Sequence, residues 1–200
     1  MTGPSFPLTC HPLNRAPMVR SLEACASRTE QGDLSFAYYL RGDMVRLLIP
    51  AGQATSRGDA LWEHTCFEAF VAVADEPAYL EFNFSPSGQW ATYRFSDYRQ
   101  ADQSHVITVA PQISAQLSAG RLDLLATLPL AGLPPAVAEA TLQIGLTAVI
   151  ENTDTVEGNR SYWALCHPAS RPDFHQRQGF TLELSARGGT LCRTSEKKRP

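Results

Sequence analysis

The sequence of 200 residues lacks most of the short motifs that assign a function directly. It contains no Gly-rich phosphate-binding loop, no GxSxG nucleophile motif and no HExxH zinc motif. No apolar run is long enough to span a bilayer, and the N-terminus shows no charged segment followed by an apolar one, as a signal peptide would. The net charge of −3 provides no basic surplus for nucleic acid or for an anionic membrane. We therefore expect a cytoplasmic protein that binds neither nucleic acid nor membranes.

The cysteines also lack the pattern of a disulfide framework or a zinc site. They are odd in number and form no CxxC pair: Cys10, Cys25, Cys66, Cys166 and Cys192. Because no export signal is present, we expect reduced thiols. Cys66 lies among apolar residues, which is typical of a small core residue rather than of a nucleophile.

What the sequence does contain is a succession of short segments with alternating polarity. A hydrophobic content of 44% and a charged content of 18% are typical of a globular domain. Turn residues separate the segments, and none of them predicts more than a short helical turn. This pattern predicts an all-β fold, an antiparallel β-sandwich of roughly ten or more strands. We expect residues 1–186 to form a single ligand-binding domain and residues 187–200 to form a flexible tail.

The clearest local prediction is a β-hairpin formed by Tyr79–Ser85 and Gln89–Ser96. Pro86 and Gly88 supply turn dihedrals between the two segments, and we place Ser87 and Gly88 at the tip. In the resulting register one face is apolar and pairs Leu80, Phe82 and Phe84 with Phe95, Tyr93 and Ala91.

The other face of this hairpin is polar and carries Glu81, Asn83, Trp90 and Arg94. The register places Glu81 opposite Arg94, where the two would form a cross-strand ion pair. One interpretation is a solvated outer face, on which such an ion pair contributes little. The other is a binding face, with Trp90 as a stacking platform and the polar side chains as hydrogen-bonding groups.

A second strand, Cys66 to Ala74, is apolar on both faces except at Glu68. Such a pattern is typical of a strand that is covered on both sides. A carboxylate in that position needs a partner, a hydrogen bond or an opening to solvent. Glu68 is therefore either the structural partner of a basic residue or a carboxylate that binds a ligand.

Two loops carry possible metal ligands. Glu151–Arg160 contains three carboxylates without the EF-hand spacing, so it is either a solvated loop or a site for structural calcium. His167, Asp173 and His175 are weak candidates for a metal site, because polar loop residues commonly bond their own backbone. We expect no metal in the site.

Several motifs taken together resemble the DOMON-like superfamily, and more closely the family 9 carbohydrate-binding modules. They are Leu61-Trp62 with Glu68 six residues later, the segment Tyr79–Gly88, and the late segments Tyr162–Leu165, His167-Pro168, Pro172–His175 and Phe180–Leu182. The resemblance covers Arg20 to Leu184 and implies a β-sandwich that binds its ligand in a cleft or on a concave sheet.

In sugar-binding members of this group two tryptophans clamp a terminal sugar. By position the resemblance implies Trp62 and Trp163 as the clamp, with Glu68 accepting hydrogen bonds from sugar hydroxyls and Arg94 donating them. Glu81, Asn83 and Trp90 of the hairpin are secondary candidates. Aromatic rings suit the C–H faces of sugars, and charged groups suit their hydroxyls.

The function predicted is non-catalytic binding of a small polar ligand, most directly a carbohydrate or a sugar-containing metabolite. Other members of the superfamily bind haem through Met and His, and Met18 and Met44 are the internal methionines here. Haem binding is therefore one alternative, and a protein-interaction or accessory domain is another. A glycoside-acting enzyme would need a carboxylate pair, which Glu68 and Glu81 would form if their strands are neighbours.

Overall fold

A computed structural model describes residues 4–103, 107–153, 160–186 and 191–193. Its strands are β1 (Phe6–Pro7), β2 (Thr9–Cys10), β3 (Val19–Arg28), β4 (Leu34–Gly42), β5 (Ser56–Arg57), β6 (Cys66–Val73), β7 (Tyr79–Phe84), β8 (Gln89–Asp97), β9 (Gln100–Ala101), β10 (Gln112–Ser118), β11 (Arg121–Leu128), β12 (Leu142–Glu151), β13 (Arg160–Ala164), β14 (Leu182–Leu184) and β15 (Leu191–Arg193). One short helix, α1 (Pro135–Glu139), and four 3-10 turns, Met44–Arg46, Leu61–Glu63, Leu130–Gly132 and Arg177–Gly179, join them.

The strands form two sheets, which confirms the predicted β-sandwich. The smaller sheet has the order β1-β3-β4-β11-β10. The larger sheet has the order β15-β14-β12-β6-β7-β8-β5, with β13 pairing with both β12 and β2, and β9 pairing with β8. All pairs are antiparallel except that of β5 with β8, which is parallel.

The main core lies between the two sheets. Alternate residues of each strand point inward, so that Phe36 and Leu124 of the smaller sheet pack in one cluster with Phe67 and Phe82 of the larger one. Tyr38 crosses this core, and its hydroxyl donates a hydrogen bond of 2.6 Å to the backbone carbonyl of Glu68. The smaller sheet thereby contacts the strand that carries one of the candidate site residues.

The outer face of the larger sheet is also covered, by residues 165–181 between β13 and β14. Phe180 of this segment packs against Phe70, with ring centroids 5.5 Å apart. A Cβ atom at Gly145 would lie 2.8 Å from Phe180 Cδ1, so glycine at this position lets the ring lie against the sheet. Strand β6 is therefore buried on both faces, as the apolar pattern of its sequence predicts.

The hairpin of β7 and β8 is present, but the predicted register was wrong by one residue. Phe84 pairs with Trp90 and Glu81 pairs with Tyr93, instead of with Ala91 and Arg94. The loop consists of three residues, Pro86-Ser87-Gly88, because Ser85 donates its backbone N–H to the Gln89 carbonyl at 2.9 Å and Gly88 takes a left-handed φ of +93°. The shift moves every side chain of β8 to the opposite face from the one predicted.

The sequence predicts a flexible tail at residues 187–200 and a possible calcium loop at residues 151–160. Residues 191–193 of the segment expected to be a flexible tail form β15, which pairs with β14. Residues 187–190 and 194–200 lie outside the described residues, as do residues 154–159 of the possible calcium loop. In the described part of the chain, no helix is long and apolar enough to cross a membrane.

Candidate ligand-binding site

A pocket of about 380 Å³ opens on the outer face of the larger sheet. Its floor is formed by side chains of five strands in the order β13-β12-β6-β7-β8, and its rim by the Leu61–Glu63 turn, Arg99 and residues 172–175. The lining residues are Trp62, Glu68, Phe70, Glu81, Tyr93, Phe95, Arg99, Val149, Arg160, Tyr162, Pro172, Asp173, Phe174 and His175. The volume is within the range of small-molecule sites, about 300–1,000 Å³.

Aromatic side chains make up much of the lining. Trp62 contacts Tyr93 edge-on, with ring centroids 5.6 Å apart, and Tyr162 contacts Phe174 in the same manner at 6.0 Å. Trp62 is 41% exposed on its 3-10 turn, so its indole ring is accessible to a ligand. Such rings offer flat apolar faces next to the polar groups of the floor.

Glu68 lies in the floor and is only 3% exposed. Its Oε2 accepts a hydrogen bond of 3.4 Å from the Thr147 hydroxyl, whereas its Oε1 has no partner among the described residues. Burial raises the pKa of Glu68 well above its usual range, and the negative charge of Glu81 raises it further. The structural interpretation of Glu68, a partner for a buried basic side chain, is not supported by these contacts.

Glu81 is the second carboxylate of the floor, on the neighbouring strand. Phe70 pairs with Glu81 across the β6–β7 ladder, so Glu68 and Glu81 are diagonal neighbours on one face. Asn83 donates a hydrogen bond of 2.7 Å from Nδ2 to Glu81 Oε1. Burial raises the pKa of Glu81 to about 7, although the hydrogen bond from Asn83 and the charge of Arg99 both favour the ionised form.

His175 lies beside Glu81. The backbone N–H of Arg99 donates to the Tyr79 hydroxyl at 3.1 Å, and this hydroxyl forms a hydrogen bond of 2.8 Å with His175 Nδ1. The other ring nitrogen, Nε2, lies 3.7 Å from Glu81 Oε2, too far for a hydrogen bond. Burial lowers the pKa of His175 to about 4, and the ring is neutral at pH 7.

The basic side chains of the site are bound at its rim. Arg99 Nη2 lies 2.9 Å from Asp173 Oδ1, and Asp173 also accepts a hydrogen bond of 2.6 Å from the Tyr98 hydroxyl. These bonds lower the pKa of Asp173 in spite of its partial burial. Arg160 donates to the backbone carbonyl of Trp62 at 3.5 Å. The rim thus holds the ion pair of Arg99 with Asp173, while the floor holds two carboxylates.

Of the residues predicted from the sequence, the structure brings Trp62, Glu68 and Glu81 together in this pocket. Asn83, two residues after Glu81 on β7, donates a hydrogen bond to Glu81 and is fully buried. Asp173 and His175, considered as metal ligands, also line the pocket.

Trp163 does not line the pocket, so the prediction of a clamp of two tryptophans is wrong. It pairs with Ala148 on β12, on the face that points into the core between the sheets, and is 8% exposed. Its indole Nε1 donates a hydrogen bond of 2.9 Å to the Ser161 hydroxyl, which satisfies the one polar atom of the ring. Its neighbour Tyr162 has the opposite orientation and contributes to the pocket.

Arg94 and Trp90 are also placed away from the pocket by the shift in register. Arg94 forms an ion pair of 2.9 Å with Asp102, not with Glu81. Trp90 shares a face with Phe84, is 3% exposed, and has the Arg57 guanidinium 4.9 Å from its ring centroid. Neither residue can donate to or stack on a ligand in this pocket.

The remaining candidates for metal or haem ligation are dispersed. His167 donates a hydrogen bond of 2.8 Å from Nε2 to the Thr9 carbonyl of β2, and its ring packs edge-on against His11. Among the residues that the structure describes, no group of three His, Cys, Asp or Glu side chains could hold a metal ion. Met18 is buried in the main core and Met44 packs against that core. Haem binding stays a prediction of the resemblance.

Tyr93, Phe95, Arg99, Tyr162 and Phe174 line the site but were missed from the sequence. Tyr93 and Phe95 had been assigned to the core face of the hairpin, so the correct loop length would have identified them. Tyr162 precedes Trp163 on β13, so the alternation that points Trp163 into the core points Tyr162 toward the pocket. Arg99 and Phe174 are brought in by loops, for which the local sequence contains no signal.

Comparison with known proteins identifies the fold. No protein-family profile and no curated protein matches the sequence. Among solved structures, a protein from Bacteroides uniformis ATCC 8492, provisionally described as carbohydrate-binding, superposes with a TM-score of 0.62 at 15% identity, covering 92% of this chain and 86% of that one. A family 9 carbohydrate-binding module from Caldicellulosiruptor kristjanssonii, solved in complex with glucose, superposes with a TM-score of 0.53 at 8% identity, covering 96% of this chain and 87% of that one. The chain therefore has a β-sandwich fold similar to that of a family 9 carbohydrate-binding module.

Proposed function

We propose that this protein binds a small carbohydrate, or a metabolite that contains one, in the pocket on the outer face of its larger sheet. The observation that carries the proposal is the combination of two buried carboxylates in the floor with accessible aromatic rings at the rim. Sugar hydroxyls can donate to Glu68 and Glu81, and the C–H faces of a sugar ring can pack on Trp62.

The structural neighbours support this proposal at the level of the fold. The family 9 module was solved with glucose, and both neighbours cover most of this chain. The pocket geometry adds a specific reason, because Glu68 Oε1 is a buried acceptor that lacks a donor among the described residues. A buried acceptor without a donor costs about 1–3 kcal/mol, so a ligand hydroxyl that supplies one gains that free energy on binding.

The proposal is tested by isothermal titration calorimetry with a panel of mono- and disaccharides. We expect at least one of them to bind, and we expect Trp62→Ala to reduce its affinity at least about tenfold, because aromatic anchors contribute a large share of binding free energy. Leu117→Ala is the matched control, since Leu117 is an exposed apolar residue on the smaller sheet. No binding of any sugar at millimolar concentration, or an equal loss in the two variants, would contradict the proposal.

We further propose that binding occurs without a reaction. The adjacent positions of Glu68 and Glu81 make glycoside hydrolysis the alternative to test, because hydrolases use two carboxylates on either side of the scissile bond. Incubation with aryl glycosides is expected to release no phenol above the uncatalysed rate. A release that is lost in Glu68→Gln would show that the protein is an enzyme.

A further inference from the structure

Among the described residues, no Arg or Lys side chain bonds to either carboxylate in the floor of the pocket. Glu68 is influenced by its own burial, by the charge of Glu81 and by the Thr147 hydroxyl, and its Oε1 is buried without a donor among the described residues. Glu81 accepts one hydrogen bond, from the neutral amide of Asn83. Placing two ionised carboxylates in such a site is costly unless a positive charge or a proton accompanies them.

The charged groups around this pair do not supply that charge. Arg99 acts on Glu81 at a distance while its guanidinium is bonded to Asp173, and Arg160 lies at the mouth near Trp62. His175 is neutral at pH 7. Burial raises the pKa values of Cys66, Tyr79 and Tyr93, and of Tyr38 from the opposite sheet, so these groups near the pair are neutral at pH 7.

A proton held by the two carboxylates can supply the positive charge when the pocket is empty. The raised pKa values of Glu68 and Glu81 mean that the pair retains a proton near pH 7. A ligand that carries its own positive charge would replace this proton and leave both carboxylates ionised. A neutral ligand would leave the proton in place.

The surrounding rings favour a cation as well. Trp62, Tyr93, Tyr162 and Phe174 line the same pocket, and the faces of such rings attract ammonium groups, most strongly where water is excluded. An ammonium group has three N–H donors, which suits a floor that contains acceptors and few free donors.

From this geometry we propose that the pocket selects a carbohydrate with a protonated amino group, and that the ammonium group lies against Glu68 and Glu81. This inference rests on the proposed function and narrows the ligand to amino sugars.

The test compares glucosamine with glucose and N-acetylglucosamine by isothermal titration calorimetry at about pH 6, where a sugar amine is protonated. We expect glucosamine to bind at least about tenfold more tightly than either neutral sugar, as charge-assisted hydrogen bonds are about twice as strong as neutral ones. Titrations in two buffers with different heats of ionisation should show proton release for glucosamine and none for glucose.

The variants Glu68→Gln and Glu81→Gln keep the shape of the floor and remove one charge each. We expect both to lower the affinity for glucosamine more than the affinity for glucose. Glu30→Gln is the matched control, because Glu30 is exposed between β3 and β4 and does not line the pocket, and it should leave the preference unchanged. The comparison of the three sugars on the unaltered protein does not depend on whether the variants fold.

Equal affinity for glucosamine and glucose would overturn the inference and leave sugar binding intact. Failure of all three sugars and of the wider panel would overturn the proposed function and this inference together. A preference for glucosamine that persists in both Gln variants would also overturn it, because the charge would then be recognised elsewhere.

Discussion

The two faces of the larger sheet are both buried and yet chemically different. On the inner face β6 and β7 present Phe67, Ala69 and Phe82 to the main cluster of apolar side chains. On the outer face the same two strands present Glu68 and Glu81 beside Phe70. Burial alone therefore does not separate the structural face of this sheet from the face proposed to bind a ligand.

One difference lies in the polar side-chain atoms that the larger sheet itself contributes to each face. The indole Nε1 of Trp163 on the inner face has its acceptor in Ser161. On the outer face Glu68 Oε1 has no donor among the described residues. In proteins, buried polar groups are nearly always paired, so each exception calls for an explanation. The four predictions that follow test this contrast, from the largest expected effect on stability to the smallest.

Trp163→Ala is expected to lower the free energy of unfolding by about 3–5 kcal/mol, because it leaves a large cavity between the sheets. Urea denaturation followed by circular dichroism measures the loss. Trp163→Phe retains most of the ring and should cost less. A loss below about 1 kcal/mol for the alanine variant would mean that Trp163 is not a core residue.

Glu81→Gln is expected to gain stability relative to the unaltered protein as the pH rises. Since the pKa of Glu81 is about 7 in the folded protein and near 4.5 when exposed, its ionisation destabilises the folded state progressively between those pH values. The variant lacks this loss, so the difference in the free energy of unfolding should grow by about 2–3 kcal/mol from pH 4.5 to 7 and then level off.

The contribution of His175 to stability has the opposite pH dependence. It cancels when the free energy of unfolding of the unaltered protein is subtracted from that of Glu81→Gln. The pKa of His175 falls to about 4 on folding, so the stability it contributes is present above pH 6.5 and is lost as the pH falls toward 4. This contribution is common to both proteins. A pH-independent difference in denaturation between them would show that Glu81 is not buried in the way described.

Gly145→Ala is expected to destabilise by about 1–3 kcal/mol, because the added methyl group overlaps Phe180 and displaces the segment that covers the outer face. Gly52→Ala is the matched control, since its Cβ atom meets nothing within 4 Å. Thermal unfolding of both variants measures the effect. Equal midpoints would indicate that residues 165–181 do not pack on the sheet as described.

Trp62→Ala is expected to change the free energy of unfolding by less than about 1 kcal/mol, because its ring is partly exposed and packs mainly on Tyr93. Denaturation alongside Trp163→Ala gives the direct contrast between the two faces. A loss as large as that of Trp163→Ala would assign Trp62 to the core.

The sequence predicted the elements of this fold better than their orientation. The doubly covered strand containing Glu68 follows from a run of apolar residues and is confirmed. The hairpin was predicted, but a two-residue and a three-residue loop both suit Pro-Ser-Gly. Choosing the shorter loop placed Arg94 beside Glu81 where the structure has Tyr93.

The orientation of Trp163 could not be predicted for a related reason. Strand β13 has apolar or aromatic residues at successive positions, so its polarity does not indicate which set faces the core. The cover provided by residues 172–175 depends on contacts between Tyr79 and His175, which are 96 positions apart. Such long-range contacts leave no pattern in the local sequence, and this is why Arg99 and Phe174 of the pocket rim were missed.

The most direct measurement of the central claim is a sugar titration followed through the indole N–H signals of the three tryptophans by NMR. Trp62 lines the pocket, whereas Trp90 and Trp163 are buried on the opposite face. We expect the Trp62 signal to shift in a saturable manner and the other two to stay in place. Shifts of Trp90 or Trp163 with an unchanged Trp62 signal would contradict the assignment of the outer face as the binding face.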